Sequence, residues 1–156
     1  MKIYTSYFYQ VRFFKPHQIP VSTAVWDPKW YHEFKGQDHL FKDKNGVWNG
    51  IRLEYLNPKR CNAGGCPCKK KDPENCWFLK SYLEGLRRWN FSEILQYLLR
   101  TAEYLQRLEG FIEEPEIMLL VHEAPDNPCS ERVPLQKYFQ EHGIDVCEWE
   151  NKEGDQ

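Results

Sequence analysis

Long apolar runs and a large net charge are what this chain lacks, and its opening segment does not read as an export leader. Its longest unbroken apolar stretch is IMLLV at 117–121, far short of the roughly 20 residues that a membrane-spanning helix needs. Basic residues number 21 and acidic residues 23, a formal net charge of −2. No global field therefore draws the chain to nucleic acid or to an anionic lipid surface, and any such affinity must come from a local patch. The opening MKIYTSYFYQVRFF is interrupted by Thr5, Ser6, Gln10 and Arg12, so it does not read as a secretory signal. The expectation is a cytoplasmic, reducing setting. There, clustered cysteines serve as ligands or reactive thiols more often than as disulfides.

Aromatic residues, by contrast, are abundant. They make up 15% of the 156 residues within an apolar share of 41%, too rich for a disordered chain and enough for one domain with its own core. Residues 1–150 read as that domain and 151–156 as a frayed tail. IYTSYF at 3–8 reads as a strand, with a short turn or helix at 10–14 and a second strand in IPVSTAVW at 19–26. The segment 36–58, with GVWNGIRLEYL, reads as a hairpin or an excursion over the sheet. Asp72-Pro73-Glu74 predicts the start of a helix running to about Arg88. Asn90 and Glu93 predict a capping box for the next helix, whose stripe Ile94, Leu95, Leu98, Ala102, Leu105 and Leu108 ends at Gly110. IMLLVHE at 117–123 reads as a central strand buried on both faces. A helix closed by Gly143 and a last strand at 144–149, with Cys147 buried, complete the chain. This alternation predicts an α/β layered domain with a mainly parallel sheet. Functional groups in such sheets gather at the carboxyl ends of the strands.

Four of the six cysteines fall in one basic insertion, residues 59–76, with the spacing Cys61-x4-Cys66-x-Cys68-x7-Cys76. Zinc takes four soft ligands at tetrahedral corners. Gly64-Gly65 would let the backbone wrap an ion, Pro67 would fix the turn between two ligands, and Lys69, Lys70 and Lys71 would offset the thiolate charge. Cys76 is expected in the first turn of the following helix, where the dipole favours a thiolate. Against zinc stands the absence of any C-x2-C pair. Structural zinc is the favoured reading; free thiols, disulfides and an iron–sulfur cluster stay open. Lys59, Arg60, Lys69, Lys70 and Lys71, joined by Arg87 and Arg88, also make a candidate anion or nucleic-acid patch, with Trp77, Tyr82 and Trp89 as stacking surfaces. An ordinary solvated loop accounts for the same charges.

The loop HEAPDNPCSER at 122–132 carries the other candidate chemistry. A cysteine between a parallel strand and a helix, with an arginine three residues on, suits a nucleophile beside an anion-holding guanidinium. Pro134 places the helix start between Ser130 and Pro134, which leaves Cys129 just outside it. Strand alternation sends His122 and Glu123 to opposite faces. Glu123, Cys129 and Arg132 are therefore the candidate catalytic residues, and His122 reads as structural.

MKIYTSYF…IPVSTAVWDPKWY and MLLVHEAPDNPCSERVPLQKYFQEHGIDVCEW together resemble the two ends of the small, single-domain members of the domain-of-unknown-function 488 family. The resemblance implies a compact, Rossmann-like α/β fold and no particular chemistry. Glu123, Cys129 and Arg132 match the family's strand–loop–helix pattern, whereas Ser130-Glu131 stands where a single histidine would. The cysteine-rich insertion lies outside the resemblance.

Two readings of function follow. One is a nucleotide- or nucleic-acid-directed enzyme acting at the carboxyl edge, with structural zinc in the insertion. The other is a non-catalytic adaptor or inhibitor that docks a protein or nucleic acid through 59–89. A thiol redox protein using Cys61, Cys66, Cys68 and Cys76 is a weaker third.

Overall fold

β-Branched and aromatic residues near the amino terminus form strand β1 (Lys2–Tyr7), and the proline-bounded run after them forms β2 (Gln18–Ser22). The structure, a computed structural model, describes residues 1–34, 41–42, 48–58 and 72–152. Among these the chain continues through β3 (Tyr31–Glu33), β4 (Phe41–Lys42), β5 (Trp48–Arg52), α1 (Trp77–Arg87), α2 (Phe91–Glu109), β6 (Glu116–Val121), α3 (Arg132–Glu141) and β7 (Cys147–Glu148). The strands lie in the order β3-β5-β2-β6-β1-β7, and each neighbouring pair in that order is parallel. Only β4 runs the other way, paired to β5 through Phe41↔Asn49 and Lys42↔Trp48. The domain is thus an open α/β sheet of the layered kind that the alternating pattern predicts. No described helix is long and apolar enough to cross a membrane.

β6 sits between β1 and β2, and its residues Ile117 to Val121 are fully buried. Alternation splits them between two clusters. Ile117, Leu119 and Val121 pack with Ile3, Ile19 and Val21 beneath residues of α1, α2 and α3. Met118 and Leu120 face the other way, under Phe8, Val11, Phe14 and Tyr31. The helices therefore share one face. The opposite face is covered by a 3-10 turn (Phe8–Phe13) and large aromatic side chains. Each fully buried side chain of this size contributes about 1.5–3 kcal/mol.

Helix α2 has the predicted ends. Asn90 Oδ1 accepts from Glu93 N–H at 3.3 Å, and Gly110 closes the helix at φ 73° with its N–H on Gln106 O at 2.9 Å. Two boundaries and one burial differ from expectation. β2 stops at Ser22 because the next N–H and hydroxyl, both on Thr23, bond Leu120 O at 3.2 and 2.8 Å, which turns the chain off the strand. The helix expected from Asp72 splits into a 3-10 turn (Pro73–Asn75) and α1, leaving Cys76 extended between them (φ −83°, ψ 110°) rather than in the first turn of the helix. Cys147 is exposed, not buried, because β7 is an edge strand that pairs with β1 alone.

Candidate active site at the carboxyl edge of the sheet

β6 ends at Val121, and the residues after it divide between the two faces as strand alternation dictates. His122 continues the Met118 and Leu120 side. Its ring lies 4.8 Å from that of Phe8 and 4.5 Å from that of Trp26, and Nε2 is 2.9 Å from Trp26 O. Glu123 turns to the helix side, where its Oε2 accepts from Ser130 Oγ at 3.2 Å. Ser130 Oγ also accepts from Arg132 N–H at 3.3 Å. One fully buried hydroxyl thus joins the strand end to the start of α3.

Arg132, itself buried, holds the loop shut from the other side. Its Nε donates to Glu148 Oε1 at 2.8 Å, and its terminal nitrogens donate to Ala124 O and Glu123 O. The same Glu148 oxygen accepts from Thr5 Oγ1 at 2.9 Å, and Thr5 Oγ1 accepts from Gln136 Nε2 at 2.8 Å. This chain of bonds ties β1, β7, α3 and the 122–131 loop together. The guanidinium also lies over the Tyr7 ring, 5.8 Å from its centroid. Arg132 is therefore occupied by internal acceptors and positions the loop.

Glu131 completes the cluster. It is 6% exposed. Burial first, and the neighbouring Glu123 charge second, push it up to about 8 against the pull of Arg132. Burial likewise raises Glu148, opposed by Arg132 and the Thr5 hydroxyl. Tyr82, buried on α1 with its hydroxyl donating to Leu56 O, lies beside the Thr23 hydroxyl and within reach of the Glu131 charge. Burial pushes its phenol well above the ordinary range, so it stays a donor. The edge therefore holds one carboxyl, Glu131, that burial keeps protonated, near a second, Glu123, that a buried hydroxyl ties to the start of α3. Such a pair can give a proton at one oxygen and take one at the other.

Of the residues expected to act, Glu123 and Arg132 meet in this cluster. Cys129 lies just before α3, as the position of Pro134 requires, and its N–H donates to Asn127 Oδ1 at 3.0 Å. Its buried side chain joins Cys76, Phe78 and Leu79 in a small apolar cluster. The last cysteine of the insertion is thereby anchored beside the loop of the candidate site, a link between two stretches that the sequence presents as separate. Cys61, Cys66 and Cys68 lie outside the described residues, as do Lys59, Arg60, Lys69, Lys70 and Lys71. Among the described residues no group of three or more histidine, cysteine, aspartate or glutamate side chains could hold a metal ion. Arg87 is paired with Glu141 and Glu84, whereas Arg88 is exposed. Trp77 and Trp89 are about half exposed, but Tyr82 belongs to the core and is no stacking surface.

Sequence reasoning passed over Glu131 and Ser130. The available signal was local: three consecutive polar residues, Ser130-Glu131-Arg132, enter a helix whose next residues are Val133-Pro134-Leu135. Pro134 must sit in the first turn, so the triplet lies at the strand–helix junction, where backbone and side chains are most enclosed. No family model, curated protein or solved structure matches the chain.

Proposed function

We propose that the chain is a nucleotide- or nucleic-acid-directed enzyme whose reaction is proton transfer at the carboxyl edge. Glu131 supplies the proton and Glu123 accepts one. The observation that carries this reading is the buried Glu131 carboxyl, pushed to about 8 beside Glu123. A carboxylic acid still protonated near neutrality is what a general acid requires. Arg132, held by Glu148 and two loop carbonyls, positions Glu123 and Glu131. In this reading Cys61, Cys66, Cys68 and Cys76 hold a structural zinc, and the lysines among them supply attraction for phosphate.

The test is turnover of nucleoside phosphates and of single- and double-stranded oligonucleotides between pH 5 and 9, by wild type, Glu131→Gln and Glu123→Gln. The expected result is an activity that falls as pH rises through about 8 and drops at least a hundredfold in either variant. Turnover indifferent to both substitutions, or none on any substrate, overturns the reading.

A binding module remains the second reading, favoured by the exposed Trp77 and Trp89 at the two ends of α1. It predicts salt-sensitive complex formation that survives Glu131→Gln and fails when Lys69, Lys70 and Lys71 are changed to glutamate.

A further inference from the structure

A cleft of about 270 Å³ opens at the carboxyl side of β5, between the 3-10 turn Glu54–Leu56 and the end of α1. It is lined by Glu54, Asn57, Tyr82, Gly85, Arg88 and Trp89. Both walls are rigidly held. On one side Leu56 N–H bonds Leu53 O at 3.1 Å, Asn57 N–H bonds Glu54 O at 3.0 Å, and the Tyr82 hydroxyl donates to Leu56 O. On the other, Arg88 N–H bonds Gly85 O at 3.3 Å and Trp89 N–H bonds Leu86 O at 3.1 Å. Tyr55 braces the indole edge-on, with ring centroids 4.8 Å apart and planes at 78°. Both rings nonetheless stay about half exposed, at 49% and 48%.

Two features of the lining are not explained by the fold itself. Arg88 is exposed and makes no ion pair or hydrogen bond through its side chain among the described residues, unlike Arg87 next to it. Gly85 lies inside α1, where glycine weakens a helix relative to alanine. Yet a Cβ built there meets no atom within 4 Å, so packing does not demand the glycine. What its missing side chain does is keep the cleft floor clear. An aromatic wall, an unpaired cation and a floor free of side chain suit a planar ring that carries an anion. Stacking on an indole holds any base, and a guanidinium fork matches phosphate. The volume is at the small end of ligand sites, suited to one nucleotide unit.

We propose that this cleft binds a nucleoside monophosphate, with its base against Trp89, its phosphate on Arg88, and Glu54 within reach of its hydroxyl or amino groups. The inference rests on the nucleotide-directed reading above and deepens it. Tyr82 connects the two places, lining the cleft on one side and lying beside Thr23 and within reach of the Glu131 charge on the other.

The experiment is calorimetric titration of the full chain with AMP, GMP, CMP and UMP, and with adenosine, inorganic phosphate and a single-stranded oligonucleotide as separate arms. At least one monophosphate should bind tenfold or more tightly than adenosine or phosphate alone. Arg88→Glu should cost at least tenfold for the monophosphate and leave adenosine unchanged. Trp89→Ala should weaken both, with partial recovery in Trp89→Phe. Gly85→Leu, a residue that helices favour, should leave the melting temperature unchanged or raised and abolish monophosphate binding. Monophosphates that bind no better than phosphate, or equally well to Arg88→Glu and Trp89→Ala, overturn the proposal, as does an oligonucleotide that binds where no monophosphate does. Glu131→Gln should bind the monophosphate as wild type does. Binding retained with turnover indifferent to Glu131→Gln faults the catalytic reading alone, and turnover lost in Glu131→Gln without monophosphate binding faults the cleft alone.

Discussion

Glu131 is the residue at which this fold holds an ionisable group in the protonation state that its surroundings favour, and that choice has a pH signature. Its carboxyl is pushed from the ordinary 4.5 up to about 8, mainly by burial. Between those values the native protein therefore binds a proton that the unfolded chain has already released. Stability from this group is fully present below the unfolded value and is lost as pH rises through the folded one. A separation of that size is worth on the order of 5 kcal/mol. Glu131→Gln keeps the shape and removes the charge. Urea unfolding at pH 5.5 and pH 8.5 should show wild type losing stability across the interval and the variant losing much less. Equal slopes would mean that Glu131 is solvated and ionised in the native state. The same residue shows where sequence reading stops. Alternation along β6 correctly separates His122 from Glu123, because period-two geometry is local. The burial of Glu131 depends on α1 and α3 closing over it, and no spacing rule encodes that.

Among the elements, β5 depends on one close approach. Gly50 on β5 lies against the ring of Tyr31 on β3, and a Cβ there would meet the Tyr31 hydroxyl oxygen at 2.2 Å and Cζ at 2.4 Å. That hydroxyl shares its one proton between Ile51 O at 2.7 Å and Pro20 O at 3.1 Å, so a single side chain on β3 laces β2 to β5. Gly50→Ala should displace the ring, unmake both bonds and cost about 3 kcal/mol, measured by denaturant midpoint at constant m-value. A cost below about 0.5 kcal/mol, the range of ordinary surface changes, would show that the ring moves aside freely. The ends of α2 were legible because Asn90, Glu93 and Gly110 act within one turn of backbone. The break before α1 was not. Pro73 suits the first position of a 3-10 turn as well as that of an α-helix, and the extended backbone at Cys76 goes with its burial beside Cys129. Strand order was equally hidden, since β6 enters between β1 and β2 from residues far along the chain.

For the whole molecule, the question is how far the cysteine-rich insertion is part of the domain it interrupts. Among the described residues, the two main apolar clusters are built from the sheet, α1, α2, α3 and the 3-10 turn Phe8–Phe13, and neither includes a cysteine. Cys76 enters only the small separate cluster with Phe78, Leu79 and Cys129. A zinc bound by Cys61, Cys66, Cys68 and Cys76 would, through Cys76, be tied to the loop of the candidate site. Protein purified without chelator should carry one zinc per chain. Its removal should leave the far-ultraviolet dichroism nearly intact, make the thiols of Cys61, Cys66 and Cys68 quick to alkylate, and lower turnover more than it lowers the melting temperature. That pattern would depart from small zinc domains, which unfold outright when the metal leaves. Metal-free protein whose four cysteines alkylate at once would refute the zinc assignment. Collapse of the dichroism on chelation would instead make the insertion integral to the core.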